Sequence, residues 1–247
     1  MGWLSTVQGK SPSLIWLLNE SSGTTAADSS GNSKTGTYTG GYTLSQTGPG
    51  TGNGATAVNG TTGYIVSASS PVGNITTSTD TTIECWCKFT ALTADMVIAG
   101  LTSNSSTNPL FWIKTNGLSP KGVYVQYRND AGTLSGGTGT ASGGNCNDGN
   151  WHQVVTTLKG STGAMKMYVD GAQVGSTVTA TVGTTTLTRF AVGAGVRTSV
   201  ANYFTGTVAC AAVYASELTS SSILANYNAM TSSSVSLALL ASVIEAA

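Results

Sequence analysis

The chain has 247 residues, with ten basic and ten acidic side chains and a formal net charge of zero. Only 8% of its residues are charged, against about 25% in an ordinary soluble domain. Without a basic patch to neutralise phosphates the composition argues against nucleic-acid binding, and without a run of about 18 apolar residues it argues against a membrane-spanning helix.

Ser, Thr, Gly and Asn take the place of the missing charge. Thr and Val suit a pleated backbone and Gly and Asn suit turns, so the composition points to an all-β chain of one large domain. Met1 to Ser13 holds one Trp-Leu pair and no apolar core of a signal peptide. Two origins are expected for such a chain: a virion protein released by lysis, or a secreted protein whose signal was removed.

Leu14 to Leu18 reads as a strand entering the turn Asn19 to Gly23, and Asp28-Ser29-Ser30-Gly31-Asn32 is a dense turn signal. Ala55 to Ser67 holds two short apolar runs divided by Asn59-Gly60, a hairpin-like pair. Thr81 to Thr90 is the clearest strand, with Ile83, Cys85, Cys87 and Phe89 on one face and Glu84, Trp86 and Lys88 on the other. Further strands are expected at Met96–Leu101, Leu110–Lys114, Val123–Arg128, Trp151–Leu158 and Ala164–Val169. Ala172–Gly175 follows the turn dipeptide Asp170-Gly171, and Phe190–Gly193 and Thr207–Tyr214 complete the set. Val123, Val125 and Tyr127 alternate with Tyr124, Gln126 and Arg128. Strands at this spacing, with no amphipathic helices between them, predict a sandwich. Helical spacing emerges only at Ser220 to Met230, and an apolar stretch closes the chain at Ser234 to Ala247. The four cysteines (Cys85, Cys87, Cys146, Cys210) lack metal-type spacing and are expected to be free and buried.

Three blocks resemble the concanavalin A-like lectin/glucanase superfamily, in its laminin-G-like branch. They are Leu14 to Gly23 running on to Asp28–Asn32, then Thr82-Ile83-Glu84-Cys85-Trp86-Cys87-Lys88-Phe89, and the hairpin Trp151-His152-Gln153-Val154-Val155 with Met167-Tyr168-Val169-Asp170-Gly171. Phe204 to Val208 running to Val213-Tyr214 is similar to the family's closing strand. The resemblance spans about residues 12–228. It implies a two-sheet antiparallel jelly-roll sandwich over residues 12–230, preceded by an N-terminal arm, 1–11, and followed by an apolar C-terminal tail, 231–247. The family's closing strand usually carries an Asp-Glu pair where this chain has Ala209 and Cys210.

Glycoside hydrolysis needs two carboxylates flanking the scissile bond. No E-x-D-x-x-E type of motif is present, Glu84 stands alone on its strand, and no catalytic residue is assigned. His152, the one histidine, reads as part of the hairpin. Glu20, Asp28 and Asn32 are candidate calcium ligands, calcium being a hard cation that takes oxygen donors; simple side-chain turns are the competing reading. Trp112, Tyr124, Tyr127, Arg128 and Asn129 form the candidate glycan site. Trp3, Leu4, Val235, Leu237, Leu239, Leu240, Val243 and Ile244 are expected to dock on neighbouring copies or on another virion protein, the alternative being that the tail folds back on its own sandwich. The expected function is a non-catalytic virion structural, decoration or adhesion protein of a phage capsid or tail, contacting surface glycans; a secreted bacterial glycan-binding module is the alternative.

Overall fold

The computed structural model describes residues 2–90, 95–116, 122–137 and 142–232. The alternating Thr/Val segments become two antiparallel sheets packed face to face. The eight-stranded sheet runs, in spatial order, Ala172–Thr179, Ala164–Val169, His152–Lys159, Thr81–Lys88, Thr205–Tyr214, Gly54–Asn59 and Tyr42–Thr47, with Leu14–Trp16 also paired to Thr205–Tyr214. The nine-stranded sheet runs Leu134–Gly136, Gly122–Arg128, Leu110–Asn116, Val97–Thr102, Arg189–Val192, Tyr64–Ser67, Gly36–Thr39 and Thr25–Ala26, with Ser142–Gly143 also paired to Gly122–Arg128. A hairpin of Gly195–Val196 and Val200–Ala201 stands apart from both.

The inward faces make the main core. Ile83, Cys85, Cys87, Val154, Val208 and Val213 come from the first sheet, and Ile65, Leu101, Phe111, Ile113, Val125 and Phe190 from the second. Each such side chain stabilises the fold by about 1.5–3 kcal/mol on burial. The expected parity of Thr81–Lys88 holds: its odd-numbered side chains enter this core, while Glu84 and Trp86 point the other way. Asp170 and Gly171 both take positive φ (51° and 79°), the backbone of a tight hairpin turn that matches strand twist.

The far side of the eight-stranded sheet is not left to solvent. Trp86, Val155, Tyr168, Ala209, Cys210, Ala212 and Tyr214 form a second core there, capped by the helices Trp3–Gln8 and Ser220–Thr231. Thr219 caps the second helix by accepting the Ser222 N–H, and Ile223, Asn226 and Met230 face the sheet. The first helix has six residues and no side-chain cap, too few to persist alone. Trp3 and Val7 anchor it to the second core. This corrects the expectation for Trp3: a flat apolar sheet face is available within the chain and the indole is buried on it, with the half-buried Leu4 packed beside it. Val235, Leu237, Leu239, Leu240, Val243 and Ile244 lie outside the described residues. The four cysteines are free thiols, all buried.

Candidate functional site

Glu84 is fully buried, and its carboxylate collects donors from every element around it. Trp3 Nε1–H (3.2 Å) and Gln153 Nε2–H (2.8 Å) donate to Oε1, and Asn226 Nδ2–H (2.7 Å) and Tyr214 O–H (3.3 Å) to Oε2. Burial pushes its pKa up, opposed by these donors. The side chain ties both helices to the sheet and is sealed from any sugar. Ala209 and Cys210, where the family's Asp-Glu pair would fall, lie in the same apolar layer.

His152 sits between two carboxylates. Nδ1 meets Asp170 Oδ2 at 2.7 Å and Nε2 meets Asp148 Oδ1 at 3.0 Å. The bond to Asp170 leads in raising its pKa to about 8 against the cost of burial. The result is a clasp that closes the 144–151 loop on the hairpin, with no nucleophile bonded to the imidazole.

The calcium candidates are engaged in turns. Asp28 accepts the backbone N–H groups of Ile15, Ser30 and Lys34 and the Ser30 hydroxyl, and these donors hold its pKa down against desolvation. Glu20 accepts the Ala27 N–H and the Tyr38 hydroxyl, while Asn32 donates to the carbonyls of Pro12 and Ser13. No group of three or more His, Cys, Asp or Glu is placed to hold a metal among the described residues. The carboxylate oxygens of Asp28 and Glu20 are engaged by backbone N–H groups and by the Ser30 and Tyr38 hydroxyls.

The expected glycan residues divide between two faces. Directly opposite strand residues share a face, and the register sets Lys114 against Tyr124, Trp112 against Gln126 and Leu110 against Arg128. These side chains occupy the outer face of the nine-stranded sheet. Tyr127 points into the core and bonds Gly183 O, and Asn129 is a buried turn residue holding Thr133 N and Thr181 O. Neither is placed to meet a ligand. Trp112 (3% exposed) and Tyr124 (2%) are on the outer face but covered. Lys114 Nζ lies 5.5 Å from the Trp112 ring and 5.7 Å from the Tyr124 ring, and the Arg197 guanidinium lies 5.4 Å from the Trp112 ring. Lys114 in turn pairs with Asp95 at 3.5 Å.

Accessible surface on this face comes from other residues. The hairpin from Gly195 to Ala201 projects over the sheet, fixed by the Thr102 hydroxyl on Val196 O at 2.5 Å. On one side of it the half-buried rings of Tyr64 and Tyr203 pack at 6.3 Å. On the other, Arg197 and Arg128 reach the same stretch of backbone: Arg197 Nη1–H donates to Thr107 O at 2.8 Å, Arg128 Nη2–H donates to that same oxygen, and Arg128 Nε–H donates to Asn108 O at 2.7 Å. Gln126 accepts the Trp112 indole N–H between them. Alternation was enough to put Lys114 beside Trp112 on one face; Arg197, Tyr64 and Tyr203 come together only through tertiary contacts.

The two packed antiparallel sheets define a lectin-like β-sandwich. The chain belongs to the concanavalin A-like lectin/glucanases superfamily, whose laminin-G family model matches residues 59–224. Among solved structures it is similar to the binding domain of botulinum neurotoxin serotype G (TM-score 0.65, 13% identity, 87% of this chain and 50% of that one). It is also similar to the binding domain of Paraclostridial Mosquitocidal Protein 1 (0.67, 12%, 90% and 52%). A third is domain 4 of an extracellular GH43 arabinanase from Geobacillus stearothermophilus, in complex with arabinotriose (0.61, 20%, 87% and 98%). The chain thus spans about half of the toxin binding domains and nearly all of the arabinanase domain. No curated protein matches it.

Proposed function

We propose that this chain is a non-catalytic glycan-binding module and that the outer face of the nine-stranded sheet meets the sugar. One observation carries the reading: around the Gly195–Ala201 hairpin this face presents the aromatic surface of Tyr64 and Tyr203 beside the planar donors of Arg128 and Arg197. Ligand sites combine apolar and aromatic contact with a few fixed polar groups of this kind. Hydrolysis would need two carboxylates about 5–9.5 Å apart, and Glu84 is sealed beneath a helix. The arabinotriose-bound arabinanase domain of the same fold supports a saccharide ligand. The low charge and the Ser/Thr/Gly-rich composition fit display outside a cell, on a virion capsid or tail or as a secreted module. The apolar tail 231–247 would join it to copies of itself or to another virion protein. A glycan array followed by calorimetry tests the reading. The wild-type chain should retain a defined set of glycans, with Tyr203→Ala weakening binding at least tenfold; retention of none would sink it.

A further inference from the structure

The sequence contains three arginines, Arg128, Arg189 and Arg197, and the fold brings all three to one face. Arg189 lies opposite Thr102, which lies opposite Leu110, which lies opposite Arg128, so Arg189 and Arg128 share the outer row of the nine-stranded sheet. Arg197 hangs over that row from the hairpin, next to Val196, whose carbonyl accepts from Thr102. Because Arg197 and Arg128 donate to the same Thr107 oxygen, their guanidiniums lie within about 6 Å of each other.

Two like charges held this close repel, and burial first, with the Arg197 charge after it, lowers the Arg128 pKa. A carboxylate between them would be the ordinary remedy. None of the ion pairs among the described residues includes an arginine. Asp95, which lies against this face, pairs with Lys114 at 3.5 Å. The backbone carbonyls fix the orientation of Arg128 and Arg197 but use only part of their donors, five N–H groups per guanidinium. The Nε atoms of Arg197 and Arg189 are buried without a partner and out of a ligand's reach, so the donors left for one are the terminal Nη–H groups of Arg128 and Arg197 not used on Thr107 O. Unspent, pre-oriented guanidinium donors facing one another match the forked geometry of a carboxylate or a sulfate.

Resting on the glycan-binding reading, we infer that the ligand is an acidic glycan, a saccharide whose carboxylate or sulfate group is gripped between Arg128 and Arg197, with Arg189 adding positive potential. The Tyr64–Tyr203 surface across the hairpin takes the neutral part of the same chain.

The test is an array bearing neutral, uronic-acid, sialylated and sulfated oligosaccharides, with trigalacturonate and a heparin-derived hexasaccharide carried forward to calorimetry. Acidic glycans should be retained, one of the two probes binding at least tenfold tighter than galactotriose, and the stronger probe shows whether carboxylate or sulfate is the group read. Arg197→Gln and Arg128→Gln should each weaken it at least tenfold while circular dichroism shows the fold kept. Arg197→Lys, which keeps the charge and loses the fork, should recover only part of the affinity. Retention of neutral glycans alone, or tight binding that both Gln variants keep, would overturn the acidic-ligand inference and leave the glycan reading standing. An array that retains nothing would remove both. Equal competition by inorganic phosphate or by a DNA oligonucleotide would show general anion binding and also overturn it.

Discussion

Trp3→Ala tests whether the N-terminal helix is part of the fold. The indole is 5% exposed. Burying a tryptophan removes roughly 150–250 Å² from water, which at about 25 cal/mol per Å² is roughly 4–6 kcal/mol. Measured Trp→Ala costs in cores run about 3–5 kcal/mol. The indole N–H also supplies one of the four donors to the buried Glu84 carboxylate, and leaving such a group short of a donor costs about 1–3 kcal/mol. The helix cannot stay on the sheet without this anchor, so the loss is capped by the docking energy of the arm, and about 4 kcal/mol is expected. At 2–4 °C per kcal/mol for a chain of this size, the melting temperature should fall by about 8–16 °C. Hydrogen exchange should show the amides of residues 3–11 losing protection, and those of Ser220–Thr231 weakening with them because Asn226 shares the carboxylate. Trp3→Phe, which keeps a ring and drops the N–H, should cost only about 1–3 kcal/mol. A melting shift below about 2 °C in the Ala variant, with the arm still protected, would refute the argument and return Trp3 to the surface.

The His152 clasp predicts a pH-dependent component of stability. Its pKa is raised from 6.5 to about 8 in the fold, so the stabilisation is fully present below pH 6.5 and is lost as pH rises through 8. It amounts to at most about 2 kcal/mol, trimmed because Asp148 is 37% exposed. Urea midpoints should therefore fall between pH 6.5 and 8 in the wild type and stay flat there in His152→Gln; identical profiles would dismiss the clasp. The thiols should be inert in the native state, since burial raises the pKa of all four and holds Cys146 at about 12. A thiol reagent should titrate all four only after unfolding, and fewer than four would reveal a disulfide.

Most of the sandwich was legible because the two faces of a strand are written into alternate residues, as at Thr81–Lys88, whose odd and even side chains enter different buried layers. The N-terminal helix was not, since six uncapped residues carry no helical period worth reading and their stability comes wholly from the sheet beneath. The candidate glycan set failed on a point that parity itself contains. Tyr124 and Tyr127 are three apart on one strand and must face opposite ways, so grouping them crossed the sheet. Arg128 lies on the outer face because it shares parity with Tyr124. Arg197 was beyond local pattern, being placed by a hairpin held through contacts distant in sequence, among them the Thr102 hydroxyl some ninety residues back.

Both helices lie on the same side of the molecule, clamped together through Glu84, while the arginines occupy the opposite side. That gives the sandwich a back and a front. A linker or neighbouring subunit joined just before Trp3 or just after Thr231 attaches at the back, and the front then looks outward without any further device. Many copies tethered this way would present their arginine faces as a single array, on which even weak individual contacts of the proposed kind would add through multivalency. Attachment at Leu134–Gly136 or Tyr42–Thr47, the edges of the two sheets, would turn that face sideways.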